Sequence, residues 1–462
     1  MTQSSPPFEQ QLAGNSPASR DIAFHMHPYT NPAMLGDAGP HIMAQGNGVF
    51  VVDDAGNQFY EGMSGLWCTS LGFSEPELID AAMTQFKKLP FYHSFAGKTV
   101  NPAIDLAELL IANAPPAGGD SVMSKVFFAA SGSEANDTAM KMVWYYNAAL
   151  GRPEKRKIIS RRKGYHGVTM AAASMTALAY AQDGFGLPLD FVKHTTAPDF
   201  YNGAQDGESE EDFASRCAAD LEALILEEGP ETVGALFAEP VMGAGGVIIP
   251  PRTYFEKIRA VLEKYDVLLV ADEVICGFGR TGNMWGSQTM DVRPDMLTCA
   301  KALSSAYLPI SAVMLSEKVY APIAKQAEQL GIFGHGYTYS AHPAACAAGI
   351  ATQKIYESEG IFERSAALED YFLDAIWTLQ DHPLVADIRG IGLMAGVEVH
   401  SDGVPGRRGG QMQKDMFWNG LHVKWTGDNA IVAPAFVAER KHIDEIVDKF
   451  RRTLDETLEA SV

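Results

Sequence analysis

Short, largely apolar runs of four to six residues recur through the middle of the chain, each followed by a stretch with helical spacing, and this alternation restricts the possible folds most. The runs are Lys125-Val126-Phe127-Phe128-Ala129, Lys157-Ile158-Ile159-Ser160, Gly234-Ala235-Leu236-Phe237-Ala238-Glu239, Val267-Leu268-Leu269-Val270-Ala271 and Met296-Leu297-Thr298-Cys299-Ala300. They are too short for buried helices, and they read as strands buried on both faces. Helical spacing over 77–86, 103–114, 135–149 and 252–265 supplies covering layers. The predicted class is α/β, with a mainly parallel sheet flanked by helices.

The texture differs at both ends. Residues 48–60 read as a hairpin around Asp54-Ala55-Gly56-Asn57. After residue 345, helices over 343–358, 361–380 and 439–459 alternate with strands near 385–399 and 420–434. A chain of 462 residues exceeds one simple core. Three segments are therefore expected: 1–75 as the N-terminal part of a small α+β domain, 76–345 as a large domain, and 346–462 as the rest of the small one. Residues 1–20 are expected to be loosely held. Residues 203–213 read as an acidic, solvated loop leading into a helix.

Charge and cysteine usage exclude several functions. The net charge of −21 repels phosphate backbones, so no nucleic-acid partner is expected. The five cysteines, Cys68, Cys217, Cys276, Cys299 and Cys346, are widely spaced with no CxxC pair, so neither a disulfide framework nor a metal site is expected. No apolar run approaches membrane-spanning length. Met1 to Phe8 lacks a basic region followed by an apolar stretch, and a cytoplasmic location is expected.

Three motifs carry chemistry. The 267–271 run ends in Asp272-Glu273, and ligands of parallel sheets sit at the carboxyl ends of strands. Asp272 there is either a cap or the partner of a bound cation. The 296–300 run ends in Lys301, which either reaches solvent or is a desolvated, nucleophilic amine. The two lie 29 positions apart, enough for a strand–helix–strand unit to bring both to one pocket. Ala130-Ser131-Gly132-Ser133-Glu134-Ala135-Asn136 leads small residues straight into a helix, either as an ordinary cap or as an anion cradle. No GK[ST] follows it, and no GxGxxG stands at a first strand–helix turn, which argues against nucleotide and nicotinamide binding. A phosphate, a basic ring nitrogen and a carbonyl are together required by these motifs, and pyridoxal 5′-phosphate (PLP) carries all three.

With Gly164-Tyr165-His166-Gly167, the EPVMGAGG run from Glu239 to Gly246, the ADEVICGFGRTG run from Ala271 to Gly282, Ala300-Lys301-Ala302-Leu303 and the GYTYSAHP run from Gly336 to Pro343, the chain resembles the class III (omega) aminotransferases, omega-amine:pyruvate transaminase-like PLP enzymes of fold type I. The resemblance implies an aspartate-aminotransferase-like large domain and a two-half-reaction transfer from a primary amine or omega-amino compound to a 2-oxo acid, with pyruvate as the expected acceptor. It implies catalytic roles for Lys301 as Schiff-base lysine, for Asp272 at the pyridine nitrogen and for Tyr165 stacked on the ring. Ser131, Gly132, Ser133, His166, Glu239 and Val274 would complete the cofactor site. Thr338 would serve a neighbouring subunit's phosphate, in a homodimer or tetramer with shared sites. Arg280 would order the turn after the Asp272 strand.

For substrate, the resemblance implies a lining of Leu66, Trp67, Phe95, Ala244 and Val247. Many members carry an arginine where Lys424 stands here, in His422-Val423-Lys424-Trp425-Thr426-Gly427-Asp428-Asn429. A lysine offers charge without the bidentate fork. Trp425 is expected to narrow the pocket. A decarboxylating transaminase or an aminomutase would use the same residues.

Overall fold

The computed structural model describes residues 14–460. The chain enters through β1 (Met43–Asn47), β2 (Phe50–Asp53) and β3 (Gln58–Glu61), an antiparallel meander whose last turn is the expected hairpin. Asp53 closes that turn by accepting from the Ala55 and Asn57 N–H groups. The central sheet follows: β4 (Met123–Ala129), β5 (Lys157–Arg161), β6 (Val192–Thr195), β7 (Val233–Ala238), β8 (Leu268–Asp272), β9 (Met296–Cys299) and β10 (Ser311–Ser316). Its order is β4-β10-β9-β8-β7-β5-β6. β10 runs antiparallel to both β4 and β9, and the other six strands share one direction. The sheet is mainly parallel, as expected.

Alternate side chains of these strands enter different cores, which explains the unbroken apolar runs. Ala235, Phe237, Leu268 and Val270 pack under the Gly132–Ala149 helix with Ala139, Met140 and Val143. Leu236, Ala238 and Leu269 face the other way, onto the Glu210–Glu228 and Tyr254–Lys264 helices. Fully burying a side chain of leucine or phenylalanine size contributes about 1.5–3 kcal/mol, so both faces of the sheet are strongly held.

Two of the seven strands escape the sequence reading. β6, one of the two edge strands, carries Lys193 and His194, partly exposed, so it lacks the apolar signature. β10 is buried throughout but is rich in small residues. It follows β9 with no covering helix between them, which only an antiparallel neighbour permits.

The C-terminal region forms a hairpin of β11 (Val385–Ile391) and β12 (Met394–Val399), then β13 (Leu421–His422), β14 (Lys424–Thr426) and β15 (Asn429–Val432). β13 pairs in parallel with β3, Leu421 opposite Tyr60, so the two ends of the chain share one sheet. The Arg440–Ala460 helix covers it. Residues 17–24 form a helix rather than a loose end, held by Ser16 as N-cap; the remainder of the expected loose segment, 1–13, lies outside the described residues. No helix among the described residues is long and apolar enough to cross a membrane, and their five cysteines are all free thiols.

Candidate active site

Because the six parallel strands end on one edge, the residues that follow them meet there. Asp272 closes β8, Glu239 follows β7, Tyr165 and His166 follow β5, Ser131 and Gly132 follow β4, and Lys301 follows β9. All of them line one cavity of about 380 Å³, with Ser133, Asn136, Val274, Ile275 and the 304–310 turn completing its wall.

Asp272 lies at the floor and is buried. Its Oδ2 accepts from His166 Nδ1–H and from Asn136 Nδ2, each at 2.8 Å, and its Oδ1 accepts from the Val274 N–H at 3.1 Å. Burying a carboxylate costs several kcal/mol, while each hydrogen bond to a charged group contributes about 1.5–3 kcal/mol, so three donors tip the balance to the ionised form. Burial pulls the carboxyl upward, but His166, Asn136 and the Val274 N–H outweigh it and hold Asp272 below the usual carboxylate range. Asn136 is fixed in turn: its Nδ2 also donates to the His166 carbonyl at 2.8 Å, and Thr298 Oγ1 donates to its Oδ1 at 2.9 Å.

Lys301 is half-buried and has a left-handed backbone, φ +47°. Such a conformation costs about 1–3 kcal/mol for a residue with a Cβ. Desolvation lowers the pKa of its ammonium, against the pull of Asp272. Its Nζ stands 5.8 Å from the centre of the Trp67 ring, and Lys424 Nζ stands 5.0 Å from the same ring. Lys424 is pushed down to about 8, first by desolvation and then by the charge of Lys301.

The anion cradle is built by the capping box of the Gly132–Ala149 helix. Ser131 Oγ accepts from the Glu134 N–H at 3.2 Å, and Glu134 Oε2 accepts from the Ala130 and Ser131 N–H groups at 2.7 and 3.1 Å. Ser131 is thereby used up as the cap. The Gly132 and Ser133 N–H groups meet no acceptor among the described residues, at the positive end of an 18-residue helix. A Cβ on Gly132 would press on both Val274 methyls at 3.1 Å, and one on Gly167 would fall 2.3 Å from Ser133 Oγ. Glycine is required at 167, where φ is +125°, and is favoured at 132, where Val274 would have to shift.

Glu239 is buried and fastens two loops, accepting from the Tyr165 N–H at 3.1 Å and the Gly243 N–H at 3.2 Å. Tyr165 packs on an apolar cluster that holds Trp67, Ala244, Val247 and Ile275. Arg280 is buried, as a structural role requires: its Nη1 donates to the Leu393 and Pro434 carbonyls at 2.8 and 2.7 Å, and its guanidinium lies over Phe436.

Not every expected residue reaches this cavity. Leu66 is 56% exposed while its neighbour Trp67 is 3% exposed, because the 64–67 turn, with Gly65 at φ +67° and Trp67 at φ +57°, sends successive side chains to opposite sides. Phe95 is exposed and lies against Gly336, and Thr338 is exposed on the same surface. None of these three lines the cavity within its own chain, and Trp67, Ala244, Val247 and Lys424 also stand outside its lining. Trp425 does not narrow the pocket. Alternation along β14 turns it away from Lys424 and into the core, where it stacks on Phe450 at 6.2 Å. Asn136 was missed, although its spacing of four from Gly132 sets both on one helix face. Tyr29 was missed as well: its hydroxyl meets that of Tyr165 at 3.3 Å.

The donor set fits PLP: a buried ionised carboxylate for a protonated ring nitrogen, a desolvated primary amine for a carbonyl, and free N–H groups at a helix end for a phosphate. Comparison with known proteins agrees. The family aminotransferase class-III matches residues 36–454. Gamma aminobutyrate transaminase 1, mitochondrial, of Solanum lycopersicum is 45% identical over 441 residues, covering 93% of this chain and 84% of that protein. Vanillin aminotransferase of Capsicum annuum is 44% identical, covering 91% of this chain and 92% of that one. The crystal structure of an omega transaminase from Pseudomonas jessenii in complex with PMP superposes with a TM-score of 0.94 at 47% identity, covering 96% of this chain and 98% of the other. The chain belongs to the class-III aminotransferases, PLP-dependent enzymes of fold type I that transfer an amino group to a 2-oxo acid.

Proposed function

We propose that this transaminase takes its amino group from a primary amine or omega-amino compound with an apolar or aromatic body and passes it to pyruvate. One observation carries the assignment of roles: Lys301, Asp272 and the free N–H end of the Gly132–Ala149 helix face a single cavity. PLP bound there supplies an electron sink for negative charge at the amine carbon. Asp272 would keep the ring nitrogen protonated, and Asn136 and His166 hold Asp272 ionised. Lys301 Nζ, its pKa lowered by desolvation, would hold the cofactor carbonyl and serve as the base that moves the proton at the donor carbon. Gly132 and Ser133 would hold the phosphate and Tyr165 and Val274 would pack on the ring, while Glu239 fixes the loop that bears Tyr165.

Trp67, Ala244 and Val247 support an apolar donor, because they form the cluster behind Tyr165. Lys424, beside Trp67, supports a carboxylate-bearing acceptor by its charge. Relatives named for gamma-aminobutyrate and vanillin fit a donor nitrogen remote from any carboxylate. A homodimer is part of the proposal. It is supported by Ile79, Met83 and Phe86, exposed along one side of the Pro76–Lys88 helix, and by the neighbouring exposed Phe91, Phe95 and Tyr339. In such a pair Leu66, Phe95 and Thr338 belong to the shared edge of the two sites.

The test is a panel of amines against pyruvate and 2-oxoglutarate, read from product formation, together with Lys301→Ala. Wild-type protein treated with borohydride is expected to retain PLP covalently on denaturation, and Lys301→Ala to retain none. Retention by the variant would move the reactive amine elsewhere. Faster turnover with 2-oxoglutarate than with pyruvate would overturn the choice of acceptor.

A further inference from the structure

A second constellation lies outside the active site, at the end of the Pro17–Phe24 helix. Asp21 lies in the last turn of the helix, and His25, four residues on, is its C-cap, with its N–H donating to the Asp21 carbonyl. The chain turns extended at His25, φ −115° and ψ 121°, so His27, two residues on, returns to the same side. The sequence pattern Asp-x3-His-x-His thus places one carboxylate and two imidazoles together. Asp21 Oδ1 lies 2.9 Å from His25 Nδ1, and Asp21 Oδ2 lies 2.6 Å from His27 Nε2. One ligand atom from each residue falls within 4.8 Å of the others.

We propose that Asp21, His25 and His27 form a binding site for one divalent transition-metal ion of the zinc class. Two imidazoles and one carboxylate make a set suited to zinc, cobalt, nickel or copper rather than to magnesium or calcium, which prefer all-oxygen shells. Bonds of about 2.0–2.2 Å to one ion need the ligand atoms only about an ångström closer than their outer separation here. On binding, each ring turns a lone pair to the ion and carries its proton on the other nitrogen, so the two hydrogen bonds to Asp21 give way to three bonds to the metal. Water completes the shell at this surface position. Cysteine spacing gives no hint of the site, because it uses no thiolate.

The site bears on the enzyme through the chain. Tyr29 follows His27 by two residues, and its hydroxyl meets that of Tyr165 at 3.3 Å while its ring packs edge-on against Tyr180 at 5.8 Å. Fixing His27 to a metal fixes the root of the segment that lies against the cofactor tyrosine.

The experiment uses holoenzyme stripped of metal by a chelator and then titrated with Co²⁺, followed by visible d–d absorption outside the cofactor band. A saturable signal of one Co²⁺ per chain, displaced by Zn²⁺, is expected. Asp21→Asn, His25→Ala and His27→Ala are each expected to weaken it about 10-fold or more, whereas His400→Ala on the opposite end of the chain leaves it unchanged. Asp21→Asn separates a metal site from a merely hydrogen-bonded trio, because the amide still accepts a hydrogen bond but supplies no ligand charge, and its near-identical shape preserves folding, checked by the cofactor spectrum. No saturable signal in wild type, or Co²⁺ binding by Asp21→Asn and His27→Ala equal to wild type, would overturn the proposal.

Discussion

Lys424 shows how much one side chain decides. Its ammonium shares the Trp67 ring with that of Lys301, and burial together with that neighbouring charge brings it to about 8. It is charged below that pH and neutral above it. The KM for pyruvate should therefore stay level up to about pH 8 and climb by up to tenfold per unit beyond it. Lys424→Arg is expected to remove that alkaline rise, since a guanidinium does not deprotonate in this range. Lys424→Ala should raise the KM for pyruvate roughly 10- to 100-fold, the loss of one charge-assisted bond, with little change for an amine that lacks a carboxylate. Equal effects on both substrates would remove Lys424 from acceptor binding. Asn136 acts through Asp272, to which its amide donates. Asn136→Ala should weaken PLP binding about tenfold, as changes behind a directly binding group do, and make that binding fail at higher pH than in wild type as the carboxyl regains its proton. Equilibrium dialysis across pH measures both.

At the scale of elements, the β8 carboxyl end is braced from two directions. Arg280 ties the turn after β8 to the β11–β12 hairpin and to the segment after β15 through the Leu393 and Pro434 carbonyls. Arg280→Met keeps the bulk but leaves both carbonyls unbonded, at about 1–3 kcal/mol each, so the urea midpoint should fall. Glu273 holds the start of the Gly286–Thr289 helix, accepting from the Gly286 N–H at 2.9 Å and the Ser287 N–H at 2.6 Å. Burial raises its carboxyl to about 7. A raised folded pKa means that its contribution to stability is complete below the unfolded value of 4.5 and is lost as pH rises through about 7. Glu273→Gln does not titrate, so the wild-type stability relative to this variant should decline between those limits in parallel urea titrations.

For the whole molecule, the decisive question is what covers the apolar side of the Pro76–Lys88 helix. Ile79, Met83 and Phe86 lie at spacings of four and three, a stripe suited to a second copy. Phe86→Glu is expected to shift the proposed dimer to monomer in light scattering. PLP affinity should fall with it, because each site would lose the other subunit's Thr338. A monomer that keeps full cofactor affinity would show each chain to be self-sufficient.

Some of this was legible without coordinates. A buried strand of a parallel sheet must be apolar on both faces, so five of the seven central strands stand out as uninterrupted runs, and the residues that end them, Asp272 and Lys301, stand out with them. Gly167, which no side chain can replace, and Gly132, tightly packed on Val274, belong to motifs readable in one dimension. Strand order, the antiparallel insertion of β10, the inward turn of Trp67 against the outward turn of Leu66, and the burial of Trp425 were not legible. Each depends on which partners lie opposite in space. The same holds for Asn136, whose amide matters only because β8 and β9 bring Asp272 and Thr298 within reach of it. Local pattern determines which residues must be buried and where the chain must turn; packing between distant segments alone decides which of those buried groups touch.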